Sequence, residues 1–417
     1  MTIEVPAGSP PKAGDVLRHL AGIYVANGVI AFLFAASGPV AIVLAVGKGG
    51  GLSEAQLASW LFGSFFLNGL LSIVACWLYR QPLVFFWTIP GTVLVGQALG
   101  HLRFAEVLGA YYVTGLLMLL LGLGGWVKRM MQALPMPIVM GMVAGVFLRF
   151  GLDWLRAFKT GFAVTFPMTV AFLVLSAWTA LGRRLPPLIG ALVVGAVAVA
   201  VAGTFKLGGG VGTVLVRPLL QVPAFSAAAL VELVVPLAIT VLVVQNGQGF
   251  AVLNAAGHRP PMTAITVACG GMSLLTALVG TVSTCLTGPV NAVLASGGER
   301  DRQYTGGLVV GALALLFGLL APLFTRLMLA APPEFISTLA GLAMLQVLRV
   351  SFVTAFSGRF TLGALFAFLY TVSDIPIVNI GAAFWGLVFG WVVSRLLERK
   401  DFETSSLEQI LGRGRSS

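Results

Sequence analysis

The chain has 417 residues, 58% of them hydrophobic and only 9% charged, with a net charge of +11. That balance excludes a soluble domain with a single anchor and points to an all-α integral membrane protein. The positive charge is scattered singly or in pairs at the ends of apolar segments, which reads as topology signalling and not as a nucleic-acid surface.

Met1–Pro11 is polar and contains proline without a small-residue cleavage site, so no cleaved signal peptide is expected. A spanning helix needs about 20 apolar residues, and apolar segments then fill nearly all of Ala21–Leu397. They predict spans near 18–46, 53–79, 83–100, 105–125, 134–151, 162–182 and 186–204. After a glycine-rich loop, Gly203–Pro223, a second set follows near 227–256, 262–280, 282–297, 305–329, 333–350, 359–374 and 377–397. The expected organisation is an N-terminal stretch 1–17, a first seven-segment repeat 18–204, a linker 205–225, a second repeat 226–397 and a polar tail 398–417.

Segments 3 and 10 are unlike the others. Phe85–Ala98 (FFWTIPGTVLVGQA) is apolar, yet Thr88-Ile89-Pro90-Gly91 interrupts it where a spanning helix should continue. Proline suits the first turn of a helix, and a threonine two residues earlier suits its N-cap. The pattern predicts an extended start, Leu83–Trp87, then a half-length helix from near Ile89. Thr281–Ser296 repeats the design around Thr287-Gly288-Pro289. Two facing half-helix N-termini would gather unpaired N–H groups and partial positive charge at the midplane, a site for a monoanion such as a carboxylate. Ordinary Pro-Gly kinks are the plainer alternative; the equivalent positions of the two breaks favour the functional reading.

The halves repeat in sequence. Gly115, Gly122, Pro137 and Gly145 recur 196 residues later as Gly311, Gly318, Pro333 and Gly341. Thr88 and Pro90 match Thr287 and Pro289 at offset 199. Seven crossings per half is odd, so the second copy must enter with opposite orientation, giving a 7+7 inverted repeat of about fourteen segments. With the N-terminus inside, seventeen of the 25 Lys and Arg fall on the cytoplasmic face, among them Lys128, Arg129, Arg183, Arg184, Arg413 and Arg415. Eight fall on the other face, including Lys206, so both termini are expected in the cytoplasm.

Other polar groups at membrane depth are few. Segment 1 carries Ser37-Gly38-Pro39 and segment 8 carries Gln245-Asn246-Gly247-Gln248-Gly249, Ser37-Gly38 corresponding to Asn246-Gly247, and such groups either line a cavity or bond across helices. Gln245 and Asn246 can donate to a carboxylate or accept from its protonated form. Glu232, early in segment 8, is the candidate proton carrier, with an interfacial carboxylate as the alternative; Asp374 reads as a solvated loop residue. His19, His101 and His258 fall near membrane edges and read as hydrated. Cys76, Cys269 and Cys285 have neither disulfide nor metal spacing. No Ser/His/Asp, HExxH or phosphate-loop pattern points to catalysis, and no metal or cofactor is expected.

Several blocks resemble the benzoate/proton symporter (BenE) family. They are Gly51-Leu52-Ser53-x-Ala55-Gln56-x-x-Ser59-Trp60, Arg80-x-Pro82, Trp87-Thr88-x-Pro90-Gly91, and Gln245-Asn246-x-x-Gly249-x-Ala251-Val252-Leu253-x-Ala255-Ala256-Gly257. The resemblance implies an architecture similar to uracil and sulfate permeases, with a core (18–125 and 226–329) moving against a gate (134–204 and 333–397). Two departures stand out: Gln248 where the family usually has proline, and Thr284-Cys285-Leu286-Thr287 where its tenth segment is usually alanine-rich.

The implied function is proton-coupled uptake of a small aromatic carboxylate such as benzoate across a bacterial-type inner membrane, the lipid bilayer being its other partner. The alternatives are a nucleobase or inorganic-anion carrier of the same fold, or a passive anion channel. The expected substrate-binding set is Ser37, Trp87, Thr88, Pro90, Gly91, Thr92, Gln245, Asn246, Thr287, Gly288 and Asn291, with Glu232 for proton coupling. Phe85, Phe86 and Trp87 would supply either an aromatic wall or core packing.

Overall fold

A computed structural model of the chain describes residues 3–6, 9–126, 135–178, 185–205, 213–377 and 382–402. Lys128, Arg129, Arg183, Arg184, Lys206, Arg413 and Arg415, used above for topology, lie outside these residues, as does most of the expected tail. The described chain is mostly helical. It runs α1 (Ala13–His19), α2 (Gly22–Ala36), α3 (Gly38–Gly49), α4 (Glu54–Phe62), α5 (Asn68–Tyr79), β1 (Phe85–Trp87), α6 (Ile89–Ala98) and α7 (Phe104–Leu123). Next come α8 (Met136–Thr160), α9 (Phe162–Ala177), α10 (Pro187–Val201), α11 (Ala227–Ile239), α12 (Asn246–Ala255) and α13 (Met262–Ala277). The rest is β2 (Thr284–Leu286), α14 (Gly288–Ala295), α15 (Tyr304–Leu319), α16 (Ala321–Ala330), α17 (Pro333–Phe356), α18 (Thr361–Ser373) and α19 (Ala382–Leu397).

Local chemistry explains several boundaries. Ser53 starts α4 with a reciprocal capping box: its hydroxyl accepts from the Gln56 N–H at 3.2 Å, and Gln56 Oε1 accepts from the Ser53 N–H at 2.9 Å. Pro39, which has no N–H to donate, lies in the first turn of α3, and the chain breaks at Ser37 between α2 and α3. A π-helical turn, Gly63–Leu67, joins α4 to α5, and another, Thr240–Gln245, joins α11 to α12. Such turns leave the regular hydrogen-bond ladder and often mark functional regions.

By length and composition, seven helical stretches among the described residues can cross a membrane, from Gly22–Gly49 to Pro333–Phe356. The remaining apolar helices are shorter, and the chain is a multi-pass membrane protein. It falls into two compact units, Met1–Val127 with Phe150–Met344, and Lys128–Arg149 with Leu345–Ser417.

In the first unit α7 packs on α13 and α15 packs on α5. The repeated glycines make these contacts close. A Cβ on Gly115 or Gly122 would meet α13 side chains at 3.0 Å and 2.9 Å, and one on Gly311 or Gly318 would meet Ile73 at 2.4 Å and the Phe66 region at 2.6 Å. In the second unit α18 packs on α19, with Gly363 and Gly390 at the crossing: a Cβ on either would lie 2.6 Å from the other's carbonyl oxygen.

β1 and β2 form a two-stranded antiparallel sheet within the first unit, with Phe85 opposite Leu286, Phe86 opposite Cys285 and Trp87 opposite Thr284. Extended backbone in an apolar interior must find partners for every N–H and C=O. Pairing satisfies the inner edges, and polar side chains satisfy the outer ones. Ser72 of α5 accepts the Phe85 N–H at 2.8 Å, and Ser273 of α13 accepts the Thr284 N–H at 2.9 Å. Asn291 accepts the Val84 N–H at 3.0 Å, and Asn246 accepts the Leu286 N–H at 2.8 Å.

Candidate functional site

Each strand delivers the chain to the start of a short helix, and the two starts are built differently. At the first, the buried Thr88 hydroxyl accepts the Gly91 N–H at 3.1 Å and donates to Thr240 Oγ1, also at 3.1 Å. Thr92 Oγ1 returns to the Thr88 carbonyl at 2.9 Å. A Cβ on Gly91 would lie 2.4 Å from Thr88 Cγ2 and 2.9 Å from Leu237 Cδ2, so protein already fills that space. Pro90 is buried in the same turn. This end is closed.

At the second start, Thr287 is 5% exposed, its hydroxyl makes no cap bond, and its Oγ1 has no hydrogen-bond partner. The Cys285 thiol is a polar neighbour but a weak acceptor. The Thr287 N–H is taken by the Val84 carbonyl at 3.1 Å, while the N-terminus of α14 lacks a side-chain cap. The space beside Gly288 holds a flexible side chain: a Cβ there would come within 2.7 Å of Gln248 Cγ and Oε1. Gln248 itself is exposed although it lies within the apolar α11–α12 stretch. A helix N-terminus with a free hydroxyl and an adaptable amide beside it can accept an anion.

The structure brings most of the predicted residues to this sheet but changes their jobs. Asn246 and Asn291, expected to face substrate, hold strand backbone. Asn246 Nδ2 also donates to Cys269 Sγ at 3.7 Å, and Asn291 Nδ2 donates to the Val84 carbonyl at 3.3 Å. Their carboxamide oxygens go to the strands because two strands inside an apolar bundle have no water to bond to. Gln245 is 5% exposed at the end of the π turn. Ser37 is buried, and its hydroxyl bonds the Phe34 carbonyl at 3.0 Å; the adjacent Gly38 packs on Ala343 and Leu188.

Phe85, Phe86 and Trp87 are 1–2% exposed. Phe65 lies 5.3 Å from Phe86 and 5.2 Å from Trp87 between ring centroids, so these rings pack the core in this conformation. The Trp87 Nε1 is buried without a partner.

Four residues gathered here carry little or no signal in the sequence. Gln248 showed itself in the sequence only as a departure from the family's proline. Ser72 and Ser273 carried no motif at all. His101 read as a hydrated edge residue, yet its Nε2 lies 2.8 Å from Glu232 Oε2, with the Glu232 side chain 5% exposed. The pair follows the end of α6, while Thr88–Thr240 sits at its start, so both ends of this half-helix are tied to one neighbouring stretch, Ala227–Gln245.

Comparison with known proteins agrees with this architecture. The transmembrane domain of a cyanobacterial bicarbonate transporter, BicA, matches with TM-score 0.56 at 17% identity, covering 95% of this chain and 99% of that one. Murine Slc26a9, an anion transporter in the inward-facing state, matches with TM-score 0.62 at 13% identity, covering 94% and 73%. These likenesses show the fold. The Inner membrane protein YdcO of Escherichia coli (strain K12) is 30% identical over 88% of this chain and 93% of its own length. The Benzoate membrane transport protein of Acinetobacter baylyi is 26% identical over 89% and 94%. The family model described as benzoate membrane transport protein matches residues 20–396. The chain therefore belongs to the BenE family of benzoate membrane transport proteins and is a membrane transporter.

Proposed function

We propose that the protein is a secondary transporter that carries an aromatic carboxylate such as benzoate inward together with a proton, by alternating access. The observation that carries this reading is the open start of α14: an uncapped N-terminus with the buried Thr287 hydroxyl, whose polar neighbour is only the Cys285 thiol, and the exposed Gln248 beside it. A carboxylate there would accept from Thr287 and backbone N–H groups, with Gly288 allowing close approach. The curated Acinetobacter relative, named for benzoate, supports the choice of carboxylate.

Coupling has an electrostatic reason. Moving a lone anion against a negative-inside potential costs about 2.3 kcal/mol per 100 mV, and a co-transported proton cancels that charge. Glu232 is the proposed proton carrier, with His101 its hydrogen-bonding partner. The reading includes fourteen segments as a 7+7 inverted repeat, a core (18–125 and 226–329) working against a gate (134–204 and 333–397), and cytoplasmic termini at a bacterial-type inner membrane. It draws support from the matched clamps on the two strands, Ser72 with Ser273, and from the distribution of Lys and Arg.

The test is uptake of labelled benzoate into proteoliposomes, with and without an inward proton gradient, competed by uracil, sulfate and other aromatic acids. Benzoate accumulation that requires the gradient is the expected outcome; uptake driven equally well without it, or blocked by uracil or sulfate, would overturn the proposal. Glu232→Gln is expected to abolish gradient-driven accumulation while leaving benzoate exchange intact. Unchanged accumulation would remove Glu232 from the proton path.

A further inference from the structure

A basic cavity lies apart from the half-helix starts, where α5, α12 and α14 end. It has a volume of about 510 Å³ and is lined by, among others, Arg80, Gln81, His258, Arg259, Arg300 and Asp301. Helix C-termini expose carbonyl groups and favour nearby cations. Arg300 serves that purpose: its Nη1 donates to the Gly257 carbonyl at 3.2 Å, and its Nε lies 3.3 Å from Asp301 Oδ1. Arg80 and Arg259 go beyond it, since neither has an ion pair among the described residues. Three guanidinium groups thus share one concavity with a single carboxylate, and that carboxylate is 79% exposed. Burial pushes His258 below the usual histidine range, with Arg300 acting in the same direction, so it adds no charge near neutral pH.

The walls are braced before any ligand arrives. Gln81 Nε2 donates to the Arg259 carbonyl at 3.0 Å. His258 Nε2 meets Gln303 Oε1 at 2.7 Å, and Gln303 Nε2 in turn donates to the carbonyls of Ala295 and Gly297 at 3.1 Å and 3.2 Å. Two left-handed turns shape the rim, at Gly257 (φ +82°) and at Arg80 (φ +51°), the latter a conformation that residues with a Cβ seldom adopt. The Gln81 Oε1 is buried without a partner.

We infer that this cavity binds a phosphate-type anion, either free phosphate or the headgroup of an anionic phospholipid. Guanidinium forks match phosphate oxygens in pairs, and a concave cluster of like charges raises the local concentration of counter-ions. A phosphate hydroxyl or a headgroup hydroxyl would also supply the donor that Gln81 Oε1 lacks. An occupant would tie together the loop before β1 and the loops after α12 and α14, the elements that hold the sheet.

The test compares the full-length parent with Arg80→Gly/Arg259→Gln. Glycine removes the Arg80 charge and relieves its backbone at once, and Arg300 is kept because it braces Gly257. Inorganic phosphate binding is read by calorimetry in detergent. Retention of phosphatidylglycerol against phosphatidylcholine is read by native mass spectrometry after extraction from vesicles containing equal amounts of both. The expected result is at least a tenfold loss of binding in the double variant, reduced in the parent by added salt, with thermal stability retained. Loss confined to phosphatidylglycerol identifies a headgroup site, and loss that includes phosphate identifies a free-anion site. Equal binding by parent and variant, or binding of neither ligand by the parent, would refute the inference.

Discussion

The two breaks are copies in sequence but not in chemistry. Both consist of a three-residue strand, a threonine, and a proline in the first turn of a short helix. At the first, Thr88 spends its hydroxyl on the Gly91 N–H and on Thr240, and neighbouring side chains fill the space beside Gly91. At the second, Thr287 caps nothing, and the space beside Gly288 holds only the end of a flexible glutamine. The same local geometry occurs twice: at the first start the polar groups anchor α6, and the second is the one proposed to receive a ligand. A site between two half-helices can therefore be asymmetric, with one helix as scaffold and the other as receptor.

The strongest way to break this comparison is to add bulk at both glycines. Gly91→Leu forces side-chain atoms into Leu237 and Thr240 and should destabilise the fold by roughly 3 kcal/mol, the upper end of typical overpacking costs. Gly288→Leu needs only Gln248 to swing away, so it should yield monodisperse protein that no longer binds benzoate. Size-exclusion profiles and thermal melts of the two variants, followed by benzoate titration, decide the matter. Equal damage to folding would show that the second start is as closed as the first.

The strand clamps should behave alike, in contrast to the helix starts. Asn246→Ala and Asn291→Ala each strip a buried strand N–H of its acceptor, at a cost of about 1–3 kcal/mol. Both should lower the melting temperature by similar amounts. Loss of benzoate affinity at unchanged stability in either variant would return that asparagine to the substrate-contacting role first expected of it.

The threonines give smaller and sharper contrasts. Thr287→Val should leave the melting temperature unchanged and weaken benzoate binding about tenfold or more, the loss of a hydrogen bond to a charged group being worth about 1.5–3 kcal/mol. Thr88→Val should do the reverse, lowering stability by about 1 kcal/mol as a lost N-cap and leaving affinity near that of the parent. Isothermal titration and melts on the same preparations read both effects. Exchanged phenotypes would assign the receptor to α6.

Much of this was legible in the chain. Apolar run length located most of the helices, because a helix that satisfies its own backbone is specified by local composition, but α8 and α17 continue to Thr160 and Phe356, well past the ends expected near 151 and 350. Thr-x-Pro located both strand-to-helix transitions, because proline acts within a helix's first turn, although the expected capping bond forms at Thr88 and not at Thr287. The repeated glycines were legible only as landmarks of the repeat; that they sit at close helix contacts emerged from the fold.

What the tertiary structure alone decided is which polar groups were left over. Thr88 and Thr287 read alike, and only the arrival of Thr240, 152 residues away, made one of them a spent cap. Asn246 and Asn291 look like ligand-binding amides until the strands they clamp are seen beside them. His101 looks like an edge residue until Glu232 lies 2.8 Å away. A hydrogen bond consumes a donor and an acceptor that can be hundreds of residues apart. Local sequence determines the shape of the backbone, and only the folded arrangement determines which of its polar atoms remain free for a ligand.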